Sequence, residues 1–159
     1  MNGSDQVKKA LAKLAKNSKA QGSARFFKTG PGQYSEGDLF IDVSVPAQRK
    51  VAREFKNLEL EEISKLLASS IHEHRATGLM ILVEQFKAAG EETKKKLLKY
   101  YLSKSAAVNN WDLVDMTASN IVGAWLVIRK VFDLLDKLAA SKNMWQRRIA
   151  MVATWALIR

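Results

Sequence analysis

From Pro46 onward, apolar side chains return at every third or fourth position almost without a break, and that periodicity commits most of the chain to helix. It predicts helices over about 46–56, 60–68, 72–88, 91–103, 111–126, 129–140 and 143–158. Pro46 falls in the first turn of the first of these, where a missing amide donor costs little. Connectors such as Ala68-Ser69-Ser70 and Ala140-Ser141-Lys142 are too short to carry one helix far from the next. Successive helices are therefore expected to pair as antiparallel hairpins, in an all-α chain.

Two of the hairpin connections look alike. Lys65-Leu66-Leu67-Ala68-Ser69 leads into His72-Glu73-His74-Arg75, and Lys137-Leu138-Ala139-Ala140-Ser141 leads into Trp145-Gln146-Arg147-Arg148. The helix that starts at Trp111 lies near the midpoint between them. A repeat of about 36 residues follows, within the range of helical-hairpin solenoids. Such arrays offer a concave, lysine-rich groove that can cup a duplex by its phosphates without inserting a helix among the bases.

Before Pro46 the pattern is less regular. From Gln6 to Lys19, Val7, Leu11 and Leu14 mark one side of a basic amphipathic helix whose remainder carries Lys8, Lys9, Lys13, Lys16 and Lys19. Its apolar residues include no aromatics, so packing on the domain is expected rather than membrane binding. A short helical piece at Ala24–Lys28 precedes a loop, Thr29 to Asp38, rich in turn formers. That loop lacks both a preceding strand and the Gly-Lys-Ser/Thr ending of a nucleotide-binding loop. Leu39-Phe40-Ile41 and Val43 read as a brief extended run.

Composition bounds the rest. The 159 residues contain 26 Lys and Arg against 16 Asp and Glu, a formal charge of +10, and no cysteine. A single domain, 1–159, is expected from length alone. The charge favours an anionic partner, nucleic acid first. Without cysteine there is no disulfide framework, no thiolate metal site and no cysteine nucleophile. No signal peptide or membrane span is apparent, so a cytoplasmic protein is expected. His72 and His74 are two residues apart and face different ways on a helix, which makes a shared metal improbable; no cofactor is expected. Nothing in order or spacing suggests a Ser-His-Asp hydrolase.

The chemistry-bearing stretch is Asn109-Asn110-Trp111-Asp112-Leu113-Val114-Asp115. Asn110 is expected as the N-cap and Asp112 as a first-turn carboxylate facing the positive end of the helix. Val114, Ala118, Ile121 and Trp125 form the buried stripe of the wheel. Trp111 and Asp115 lie along its edge, about 40° apart. Spacing alone leaves Asp115 open between a surface carboxylate paired with a lysine and a group facing a ligand. On the last helix, Trp145, Ile149, Val152 and Ala156 read as the buried stripe, with Arg148 beside it and Arg147 pointing away as a solvated charge. Arg148 is thus placed to pair with Asp115, to grip a phosphate, or to make a structural ion pair between repeats. Trp125 and Trp155 fit core stripes, and Tyr100-Tyr101 fit inter-helix packing.

Taken in order, Phe27-Lys28-Thr29-Gly30-Pro31-Gly32-Gln33-Tyr34-Ser35-Glu36-Gly37-Asp38, Val45-Pro46, Asn110 to Asp115, and Trp145-Gln146-Arg147-Arg148-Ile149-Ala150 resemble the AlkD family of DNA alkylation-repair glycosylases. The resemblance runs from about Ala24 to the end. It implies HEAT-like helical-hairpin repeats forming a right-handed α-α superhelix, and a monomeric enzyme acting on alkylated double-stranded DNA. The reaction it implies is hydrolysis of the N-glycosidic bond of cationic N3- or N7-alkylpurines. By the same resemblance Asp115 matches the catalytic aspartate, Trp111 the tryptophan that contacts the lesion sugar, and Arg148 the arginine beside them. Phe26, Lys28, Arg75 and Arg147 are expected against DNA, although Phe26 stands where some relatives have a tyrosine.

The resemblance also implies a longer domain, of which 1–159 is the N-terminal two thirds. A second active-site tryptophan is then expected beyond Arg159, and the last helix is expected to expose an apolar face carrying some of Met151, Val152, Trp155 and Ile158. The alternatives are a non-catalytic HEAT-like DNA-binding or scaffolding protein, and a protein-interaction solenoid whose basic faces are merely solvated.

Overall fold

The computed structural model describes residues 3–15, 27–130 and 132–158. The chain falls into two compact units, Met1–Gln85 and Phe86–Arg159. Regular structure among the described residues is helical, apart from one isolated bridge.

In the first unit, α1 (Gly3–Leu14) buries Val7 and Leu11 against α2 (Val45–Glu54) and α3 (Leu60–Leu67). Leu14, the third residue of the expected stripe, is exposed. The start of α1 is held by the Glu62 carboxylate, which accepts from the Ser4 amide at 2.9 Å and the Ser4 hydroxyl at 2.6 Å. These bonds occupy donors that a helix start leaves open. Pro46 lies in the first turn of α2 as expected. The following helix, α4 (His72–Ala88), is buried nearly all round from Ala76 to Val83, as a helix without a polar face must be.

The segment before α2 departs from expectation. Ala24 to Phe26 lie outside the described residues, while Phe27 and Lys28 form a turn rather than helix. The brief extended run reduces to one parallel bridge, Leu39 with Ile71. Its amide and carbonyl meet Ser70 and His72 at 2.9 and 2.8 Å. Beyond it Asp42 turns into the left-handed region, φ 55°, and the Ile41 and Asp42 amides both donate to the Glu73 carboxylate. A side chain thus takes the place of a partner strand.

The second unit contains α5 (Glu91–Ser103), α6 (Trp111–Ala118), α7 (Ala124–Arg129), α8 (Asp133–Ala139) and α9 (Met144–Ala153). The stretch expected as one helix over 111–126 is interrupted by a π-helical turn at Ser119–Gly123. There the backbone of α9 comes so close that a Cβ on Gly123 would lie 2.4 Å from the Ala153 carbonyl oxygen. Close approach also sets the phase of α9. Of the expected stripe only Ile149 is buried, joined by Ala150 and Ala153; Trp145, Val152 and Ala156 are half-buried, and the side of the helix against Gly123 is made by the Ala153 backbone and the small Ala156 side chain.

After Ala153 the helix tightens into a 3₁₀ turn, Thr154–Leu157, and the change in pitch carries Trp155 out of the core. It is 59% exposed, between Met151 at 72% and Ile158 at 79%. Trp125, by contrast, is buried. The face expected from Met151, Trp155 and Ile158 is therefore open, with Val152 half-buried.

Candidate active site

The second unit brings Asp115 and Arg148 together. Helices α6 and α9 pack on each other, and the Arg148 fork closes on the carboxylate with Nε to Oδ1 and Nη2 to Oδ2, both at 2.9 Å. This is the bidentate geometry in which both groups are fixed in orientation. The hydrogen bond to Asp115 raises the Arg148 pKa above its ordinary value. Both side chains remain open to solvent, 40% exposed for Asp115 and 43% for Arg148. Trp111, one turn before Asp115 on α6, is half-buried at the helix start.

Further bonds tie each helix of the pair to its own surroundings. The Tyr101 hydroxyl on α5 pairs at 2.8 Å with that of Thr117 on α6, within a core whose burial pushes the Tyr101 phenol pKa up. Gln146, one turn before Ala150, donates to the Ser105 hydroxyl at 2.9 Å. Asn143 caps α9 by accepting from the Trp145 amide at 2.8 Å. On α6 the division of labour differs from expectation. Asn110 occupies the N-cap position but its side chain makes no cap bond. Asp112 accepts from the Leu113 amide at 2.8 Å instead, the capping role its place in the first turn suggests.

Chemically, the pair presents an anion whose position is fixed and whose capacity is not used up. Each carboxylate oxygen has two acceptor positions, and Arg148 takes one on each. The others can meet a cation or a water. An aromatic ring at the same helix start adds a second surface that attracts positive charge.

The remaining expected DNA contacts have varied surroundings. Phe26 lies outside the described residues. Lys28 is exposed, with φ 53°. Arg147 is not simply a solvated charge: its Nη1 donates to the Ser141 and Lys142 carbonyls at 2.8 and 2.9 Å, tying α9 to the connector before it. Arg75, in the first unit, is buried. Its Nη2 donates to Asp38 at 2.7 Å and its Nη1 to the Ser69 carbonyl at 2.9 Å.

Around that buried pair, Phe27, Phe40 and His72 stack with centroids 4.9 to 5.2 Å apart. Burial pushes the Asp38 carboxyl up, yet its pKa lies below the usual value because His72 and Arg75 face it. The arginine is the direct partner, with Nη2 2.7 Å from the carboxylate, and His72 Nδ1 lies 3.8 Å away. The glycine-rich loop has no open phosphate cradle at its centre: the Gly30 amide donates to Gln33 Oε1 and the Gly32 amide to Glu36 Oε2. Among the described residues, no group of three His, Asp or Glu side chains could hold a metal ion. No helix there is long and apolar enough to cross a membrane.

The family model for DNA alkylation repair enzymes matches residues 7–159. The chain belongs to that family. Comparison with curated proteins gives no match. Two supporting features were missed in the sequence: the Gln146–Ser105 bond left no signal, whereas Gly123, a lone glycine inside a helical pattern, is the kind of signal that could have pointed to a close approach.

Proposed function

We propose that this protein is a DNA glycosylase that excises cationic N3- or N7-alkylated purines from duplex DNA, with Asp115 as the catalytic carboxylate. The observation that carries the reading is the Asp115–Arg148 pair, rigidly oriented yet open to solvent, in a member of a DNA alkylation repair family. An alkylated purine is already positively charged. When its bond to C1′ breaks, the electron pair neutralises the base and the positive charge moves to the sugar as an oxocarbenium-like centre. Water then adds to C1′ and gives up a proton.

The enzyme therefore gains most by stabilising charge on the sugar rather than by protonating the base. Asp115 supplies that charge and orients the water. Trp111 adds an aromatic face worth about 1–2 kcal/mol to a desolvated cation. Arg148 offsets part of the carboxylate's charge but fixes its geometry, and preorganisation of this kind is what makes an electrostatic group effective. HEAT-like packing of the helical hairpins, with a basic concave face toward the duplex, completes the proposal.

Release of free 7-methylguanine from methylated duplex tests it. The expected result is base release by the protein that is lost in Asp115→Asn. DNA binding with a steep salt dependence but no base release from any alkylated substrate would instead identify a DNA-binding or scaffolding protein.

A further inference from the structure

A second basic feature lies entirely within the first unit and involves none of the residues of the proposed active site. Between α1 and α2 runs a cleft of about 370 Å³ whose lining includes the buried Val51 and the exposed Leu14. Lys9 and Lys13 line it from one side, one helical turn apart on α1, and Lys50 lines it from α2. All three are exposed. None has a carboxylate within ion-pair distance among the described residues. Glu54, one turn beyond Lys50, is the single acid of the lining, so three positive charges face one negative charge across a concave surface. Clefts lined by one sign of charge with apolar walls concentrate counter-ions, and this one has the size of a ligand site rather than of a packing defect.

We propose that the α1–α2 cleft is a phosphate-binding site in which Lys9, Lys13 and Lys50 hold one phosphate group. Lysine binds phosphate as a point charge without demanding a fork geometry, which suits three ammonium groups on flexible stems. Two sources share this chemistry, a backbone phosphodiester of DNA and free phosphate. The volume and the exposed Leu14 side chain favour the phosphodiester, whose sugars would cover Leu14. The inference does not depend on the glycosylase reading, because it concerns binding of undamaged DNA.

The test measures affinity for an unmodified duplex by fluorescence anisotropy across a salt series. The Lys9→Gln/Lys13→Gln/Lys50→Gln variant is expected to bind about tenfold more weakly at 0.1 M salt, with the slope of log affinity against log salt reduced by about 1. Glu54→Gln is expected to bind more tightly than wild type, and by more than Glu92→Gln, which makes the same change in net charge on α5. Circular dichroism checks that these surface variants remain folded. Inorganic phosphate at constant ionic strength separates the sources. If free phosphate fills the cleft, it competes with DNA on wild type and not on the triple variant; absence of competition assigns the cleft to the backbone. The proposal is overturned if the triple variant keeps wild-type affinity and slope, or if Glu54→Gln gains no more than Glu92→Gln.

Discussion

Asp115→Asn should separate stability from activity, and the exposure of the ion pair sets both magnitudes. At 40% and 43% exposure the Asp115–Arg148 pair is a surface pair, and such pairs contribute about 0.2–1 kcal/mol. Two parallel hydrogen bonds at 2.9 Å put it at the upper end of that range. Asparagine keeps the shape and one acceptor, but its amide group faces the guanidinium donor to donor. The expected loss is therefore about 1 kcal/mol, or roughly 2–4 °C in Tm for a chain of this size. A double-mutant cycle with Arg148→Gln should return a coupling of about 0.5–1 kcal/mol. Activity should fall much further. Removing one preorganised electrostatic partner of a transition state costs about 10²–10³ in rate, or roughly 2.7–4 kcal/mol. Thermal melts and single-turnover release of 7-methylguanine measure the two losses on the same samples. A stability loss above about 3 kcal/mol with activity falling in proportion, or base release that survives the substitution, would refute the assignment.

Other consequences follow from particular contacts. Arg75→Met strands Asp38 in a buried position and should cost about 3–5 kcal/mol in urea unfolding, while Asp38→Asn/Arg75→Met recovers much of it; a single-variant loss below about 1 kcal/mol contradicts the buried pair. His74 is held near pKa 4, against an ordinary 6.5, by burial first and by Lys8 second. Glu62 is held near 2, against 4.5, by its bonds to Lys65 and Ser4. For both groups the unfolded chain binds more protons as pH falls, so their contribution is complete above about pH 6.5 and declines through 6.5 to 4 for His74 and 4.5 to 2 for Glu62. Urea midpoints that stay flat from pH 7 to 4 would exclude the His74 part. Gly123→Ala should lower stability by about 1–3 kcal/mol through its clash with the Ala153 backbone, despite alanine's advantage of about 1 kcal/mol in helix propensity, and a rise in Tm would show that the contact relaxes freely.

How much of this was legible in the sequence depends on the range of the interaction that decides each feature. Helices over 60–67, 72–88 and 91–103 follow from local periodicity and agree closely with expectation. The inward face of α6 and of the π turn after it, with Val114, Ala118 and Ile121 buried, also followed from the wheel. The phase of α9 did not, because it depends on the close approach of Ala153 and Ala156 to Gly123 on another element. Trp155 failed for a related reason: the wheel assumes a constant pitch, and the chain changes pitch at Thr154. The loop before α2 was read for its turn residues, but the buried bond from Arg75 to Asp38 and the amides gathered by Glu73 are long-range, and nothing in spacing announces them. In the candidate site, Asp115 and Arg148 were each placed at a groove edge by their own helices. Only the packing of α6 on α9 decided that they meet.

Two Asp–Arg pairs among the described residues show why geometry alone does not identify a functional carboxylate. Their bonds are nearly the same length, 2.7 Å for Asp38–Arg75 and 2.9 Å for Asp115–Arg148. The first has side chains 7% and 5% exposed and is enclosed by the loop and α4. No substrate can reach its oxygens, and its energy goes into holding the loop. The second keeps acceptor positions facing solvent, which a catalytic carboxylate requires. The difference is measurable without substrate. At 1 M salt the screening length is about 3 Å, enough to weaken an exposed pair but not one shielded from ions. The Asp115–Arg148 coupling should therefore shrink between 0.05 and about 1 M sodium chloride, while the Asp38–Arg75 coupling stays nearly constant. Equal salt sensitivity in the two cycles would mean that exposure does not distinguish them, and with it would go the argument that Asp115 rather than Asp38 is available for chemistry.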